Sequence, residues 1–167
     1  ADAYMAGYNA GYQEGYNKVV KETSSDEMEY VDLGLPSGTL WASDYVKDGD
    51  EVLFLPYPEA LKYDIPTKEQ VDELREYCEI SIKYDEDDNY VHIVLGPNGN
   101  SIVLPAAGGS LVFWGDVTGV GSNGYYWSST LSNSEKVWYL FFNSNTIHMH
   151  RYNRSCGRSV RLVKLLK

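Results

Sequence analysis

A chain of 167 residues, 43% of them hydrophobic, is long enough to bury one proper core, so one domain with an appendage is expected. Its net charge of −10, from 24 acidic against 14 basic side chains, excludes a nucleic-acid partner, because phosphate binding needs a basic field. No apolar run approaches the roughly 18 residues that a membrane-spanning helix requires.

The chain opens on Ala1 rather than Met, which implies that an N-terminal piece has been removed. Its first residues repeat every four positions, with Tyr4, Tyr8, Tyr12 and Tyr16 alternating with Gly7, Gly11 and Gly15. On a helix this spacing sets Tyr and Gly on adjacent stripes. Each Gly costs about 1 kcal/mol relative to Ala, so such a helix needs a partner surface. Self-association through Tyr4, Gly7, Tyr8, Gly11, Tyr12 and Gly15, docking onto the domain, and a partly ordered linker all remain open. Residues 1–24 are therefore assigned to a Tyr/Gly helix and linker, and residues 25–167 to the domain.

Tyr30 to Leu35 and Thr39 to Ala42 read as short strands around the turn Pro36-Ser37-Gly38. Thr67-Lys68-Glu69-Gln70 is a capping box that opens a helix, with Val71, Leu74 and Cys78 on its apolar stripe. Strands are expected over Ile80 to Tyr84, Tyr90 to Leu95 and Ser101 to Leu104, joined by turn-forming segments as a meander. Four more are expected over Tyr125 to Ser129, Val137 to Phe142, Ile147 to Arg151 and Ser159 to Leu165. One early helix, many short strands and Gly-rich loops predict an α+β domain.

Motifs for chemistry are sparse. Asp85 to Asn89 has the alternating carboxylates of a calcium loop, but Tyr90 and Gly96 stand where Gly and a bidentate acid are needed, so a solvated hairpin turn is expected. His148 and His150 alternate on a strand and share a face, yet no Cys or carboxylate nearby completes a metal site. Ser128, Ser129 and Cys156 lack a nucleophile elbow, and no phosphate-binding glycine loop opens a helix. Cys78 and Cys156 are read as unpaired thiols, and no cofactor is implied.

The last third is different in kind. From Ser128 onward seven Lys and Arg stand against Glu135 alone, a surplus of six, which leaves −16 for the preceding residues. This basic segment either packs on the acidic body or faces an anionic ligand. It is also rich in Asn, Ser, His, Tyr and Arg, and lies between the blocks Gly121 to Thr130 and Arg154 to Val163. The 15 Tyr and 4 Trp of the chain belong either to the core or to a binding surface, where they give large contact area at low entropic cost.

Tyr30 to Ala42, Ile65 to Glu69, Gly96 to Ile102, Leu104 to Gly108, Gly121 to Thr130 and Ser159 to Arg161 together resemble, in matching order, the Fibrobacter-type major paralogous domain. That family occurs in surface and secreted bacterial proteins. The resemblance implies a C-type-lectin-like domain, here with an N-terminal helical extension, related to formylglycine-generating enzymes and to the variable proteins of diversity-generating retroelements. In the variable proteins the segment between a Trp-Ser-Ser block and a final Ser-Val-Arg strand is diversified at adenines on a fixed backbone. By that likeness Trp127, Ser128, Ser129, Leu140, Phe142, Gly157, Val160 and Arg161 are framework. Ser132, Asn133, Glu135, Trp138, Asn145, His148, His150, Tyr152, Asn153, Ser155 and Arg158 are display positions.

The expected function is a non-enzymatic, extracellular or cell-surface ligand-binding domain, or a phage virion component. A protein or surface polymer would be contacted chiefly through Trp138, His148, His150, Tyr152 and Arg158. Two alternatives stand beside it: an oxidative enzyme of the formylglycine-generating branch acting through Cys156, and a structural tip piece of a pilus or phage tail.

Overall fold

The computed structural model describes residues 28–48, 51–109 and 118–165. The Tyr/Gly segment, and with it the expected oligomerising helix, lies outside the described residues. Strands β1 (Tyr30–Asp32), β2 (Thr39–Tyr45), β3 (Lys47–Asp48) and β4 (Glu51–Val52) come first. The helices α1 (Tyr57–Ala60) and α2 (Lys68–Tyr77) follow, then β5 (Glu79–Tyr84), β6 (Tyr90–Leu95) and β7 (Ser101–Pro105). The chain ends through β8 (Gly124–Leu131), β9 (Lys136–Phe142), β10 (Ile147–Asn153) and β11 (Arg161–Leu165).

The structure corrects the expected α+β class. Among the described residues strand accounts for 50% and helix for 11%, and the strands form three small antiparallel sheets and a two-stranded hairpin. The physical reason is the size of the helical part. Helix α2 has ten residues and buries only Val71 and Leu74, too little apolar surface to form a layer of its own.

Local expectations fare better. The capping box forms, with Thr67 Oγ1 accepting from the Gln70 amide at 3.1 Å and Gln70 Oε1 accepting from the Thr67 amide at 2.9 Å. The meander is the sheet β5-β6-β7, and the acidic segment is its hairpin turn, where Asp85 Oδ1 accepts from the amides of Asp87 and Asn89. Among the described residues no three metal-ligating side chains cluster, and no helix is long and apolar enough to cross a membrane.

The sheet β1-β2-β11 joins the two ends of the domain, and the sheet β10-β9-β8 stands between two cores. Side chains alternate across a strand. Tyr126, Leu140 and Phe142 therefore enter one core, with Trp41, Leu74, Val94 and Leu104. Trp127, Val137 and Tyr139 enter the other, with Val46, Leu55, Tyr57, Cys156 and Val160. Trp127 is fully buried and its indole N–H donates to the Leu55 carbonyl at 2.7 Å. Ser128 Oγ donates to the Trp138 carbonyl at 2.6 Å where the register of β8 shifts. Gly124 permits the close packing of β8, because a Cβ there would lie 2.0 Å from the Phe142 ring.

Candidate ligand-binding face

Register decides which side chains share a face. In the β9–β10 ladder Phe141 is paired with His148, Tyr139 with His150 and Val137 with Tyr152, while in β8–β9 Tyr125 is paired with Phe141. These residues project from one side of the sheet. Tyr125 and Phe141 have ring centroids 5.2 Å apart, Phe141 and His148 5.5 Å, His148 and His150 5.6 Å, and Tyr139 and His150 5.9 Å. A continuous ledge of five rings results, in which Tyr139 is buried, His150 is exposed and the others are half-buried.

Arg158 supports this ledge from beneath. It is 3% exposed, with its guanidinium carbon 4.4 Å from the Tyr125 ring centre, 4.8 Å from that of Tyr139 and 5.8 Å from that of Tyr152. Its backbone is bridged to Leu55 in both directions, at 3.1 and 2.9 Å. Burial raises the Tyr139 phenol above its ordinary pKa, and the Arg158 charge pulls it partly back. Arg158 is thus a strut and not a displayed side chain, which corrects its expected place on the surface. The planar guanidinium suits such stacking, and with the flanking chain bound to Leu55 the side chain is held inward.

The other expected display positions divide into three groups. His148, His150 and Tyr152 share the ledge, with Tyr152 43% exposed at its end. Trp138 does not join them. It lies opposite Arg151 in the ladder and so projects from the other face, half-buried between the Arg151 guanidinium at 5.6 Å and Lys68 Nζ at 5.1 Å. The third group belongs to turns. Asn133 Oδ1 accepts from the amides of Glu135 and Lys136, both at 2.9 Å, and Asn153 Oδ1 accepts from the Ser155 amide at 2.9 Å and its hydroxyl at 2.8 Å. Asn133, Glu135, Asn145, Asn153 and Ser155 are exposed and Ser132 half-buried, but Asn133 and Asn153 also build the turns they sit on.

The expected framework residues Trp127, Ser128, Leu140, Phe142, Gly157, Val160 and Arg161 are buried, and Ser129 is half-buried. Sequence reasoning missed Tyr125, Tyr139 and Phe141 as parts of the ledge. Their signal was the alternation along the strands, which sets Tyr139 and Phe141 apart from Leu140 and Phe142. Cys156 is fully buried in the second core, and burial raises its pKa, so it is held as a protonated thiol.

Residues 78–163, more than half of the chain, match the model of the family described as Domain of unknown function (DUF8237), and the chain belongs to that family. The matched stretch runs from the end of α2 into β11 and includes the whole ledge and Arg158. Neither the curated proteins nor the solved structures yield a match.

Proposed function

We propose that this protein is a non-enzymatic extracellular binding domain, whose display surface is held by a rigid frame. One observation carries the reading. On β10 and its flanking turns Asn145, His150, Arg151, Tyr152, Asn153, Arg154 and Ser155 are all exposed, while the strands behind them are fixed by fully buried Trp127, Val137, Phe142 and Val160. Bulky polar and aromatic groups on a rigid support lose little entropy when a partner binds. The resemblance to the Fibrobacter-type major paralogous domain supports the same assignment, with a protein or surface polymer as ligand and a bacterial surface or phage virion as location.

Diversification by a retroelement is part of the proposal. The encoding DNA tests it: a near-copy of the segment for residues 127–163, beside a reverse-transcriptase gene and differing only at adenines, is expected. Its mismatches should fall in the codons for Ser132, Asn145, His148, His150 and Tyr152 and spare those for Trp127, Phe142 and Arg158. A repeat with mismatches spread over the buried positions, or no repeat, would remove diversification from the reading. The enzymatic alternative through Cys156 finds no support in its position, because a fully buried thiol with a raised pKa is neither accessible nor nucleophilic.

A further inference from the structure

Among the described residues strand β10 is the edge of its sheet, and its ladder shows which backbone groups face outward. The Asn143 amide donates to the Thr146 carbonyl at 3.0 Å at one end, and the Arg154 amide to the Glu135 carbonyl at 3.1 Å at the other. Antiparallel pairs alternate between exchanging two hydrogen bonds and exchanging none. Stepping by two from either end makes Phe141–His148, Tyr139–His150 and Val137–Tyr152 the bonded pairs. The N–H and C=O groups of Ile147, Met149, Arg151 and Asn153 therefore point away from β9. The Ile147 carbonyl agrees, since it accepts from Arg75 Nη2 of α2 at 3.2 Å. Beyond that clip, Met149 and Arg151 present outward backbone groups with no hydrogen bond among the described residues.

Positive and proton-accepting groups flank this edge on both faces. One face carries His148 and His150 over the buried Arg158, and the other carries Arg151 on Trp138, with Lys68, itself paired with Asp72 at 2.6 Å, over the same indole. Glu135 is the single carboxylate of the described residues from 118 onward. The rings of the ledge are inclined to their neighbours by between 37° and 63°, so they offer edges and polar tips instead of the flat platform on which a sugar stacks.

We infer that the free edge of β10 receives an extended acidic peptide segment of a protein partner, which adds a strand beside Met149 and Arg151 and sets carboxylates against His148, His150 and Arg151. Strand addition draws affinity from main-chain hydrogen bonds and specificity from alternate side chains, and here both components come from the same seven-residue strand. The inference rests on the binding-domain reading above and names its partner class.

The probe is a short end-capped peptide of Glu-Glu-Thr-Thr repeats, which sets carboxylates on both faces of an added strand, compared with its Lys counterpart by fluorescence anisotropy. The acidic peptide is expected to bind at least about tenfold more tightly, with affinity falling as salt screens the charges. Arg151→Ala removes the charge alone, whereas Arg151→Pro also removes an outward N–H and leaves the bonds to β9 in place. The proline variant is expected to lose about a further tenfold, near 1.4 kcal/mol. Should that variant fold poorly, hydrogen exchange on the wild-type protein decides the point, with the Met149 and Arg151 amides slowed by the acidic peptide. Equal binding of the two peptides, binding of neither, or protection confined to other strands overturns the inference. Binding of a globular protein through a randomised ledge is measured separately, so failure here leaves the binding-domain reading standing.

Discussion

Arg158 offers the sharpest test of what is frame and what is surface. Its guanidinium lies within 4.8 Å of two ring centres at 3% exposure, where cation–π contacts are worth about 0.5–2 kcal/mol each. Arg158→Ala also removes two buried methylenes at about 0.8 kcal/mol apiece and leaves a void beneath Tyr125 and Tyr139. The expected loss is about 3–5 kcal/mol, which at about 2–4 °C per kcal/mol lowers the Tm by roughly 6–20 °C. Arg158→Lys keeps the charge without the plane and should recover about half. Tyr152→Ala, at a side chain 43% exposed, is expected to cost less than about 1 kcal/mol. Urea unfolding followed by tryptophan fluorescence, with m-values compared, gives all three numbers. Arg158→Ala within about 1 kcal/mol of wild type, or Tyr152→Ala costing more than it, would refute the strut.

Other positions lead to further expectations. Gly124→Ala drives a Cβ into the Phe142 ring and should destabilise by about 1–3 kcal/mol, read from the same unfolding curves. His92 is 2% exposed, its ring lies 4.5 Å from that of Phe142, its Nδ1 has no hydrogen bond among the described residues, and burial lowers its pKa from 6.5. The unfolded chain then takes up this proton first, so the contribution of neutral His92 is present above about pH 6.5 and lost as pH falls below it. Urea midpoints between pH 7.5 and 5.5 should fall for wild type and fall less for His92→Leu. A native protein should react slowly with a thiol reagent at Cys78 and Cys156, and both should label once urea unfolds it; rapid native labelling of Cys156 would contradict its burial.

Much of the local structure was legible because local residues determine it. Thr67 and Gln70 cap a helix by themselves, and the Asp85–Asn89 turn needs only its own carboxylate and backbone. The composition of β10 and its turns likewise marked the region of interest. What escaped was long-range. Whether Trp138 or Tyr139 stands beside His150 depends on a register set by the Asn143–Thr146 turn and on which face the second core occupies. The resemblance set Arg158 among the displayed residues, and only the convergence of Tyr125 and Tyr139 from two strands supplies the pocket that buries it. The α+β expectation gave one capped helix the weight of a layer, where strand pairing across the chain dominates.

The most direct test of the binding face is a displayed library randomised at Ser132, Glu135, Asn145, His148, His150 and Tyr152, selected against a folded protein such as lysozyme. A surface on a fixed frame predicts that members keep the wild-type Tm within a few degrees, that binders emerge, and that alanine at 148, 150 and 152 abolishes their binding while Trp138→Ala does not. Library members that unfold, or binders indifferent to 148, 150 and 152, would contradict it.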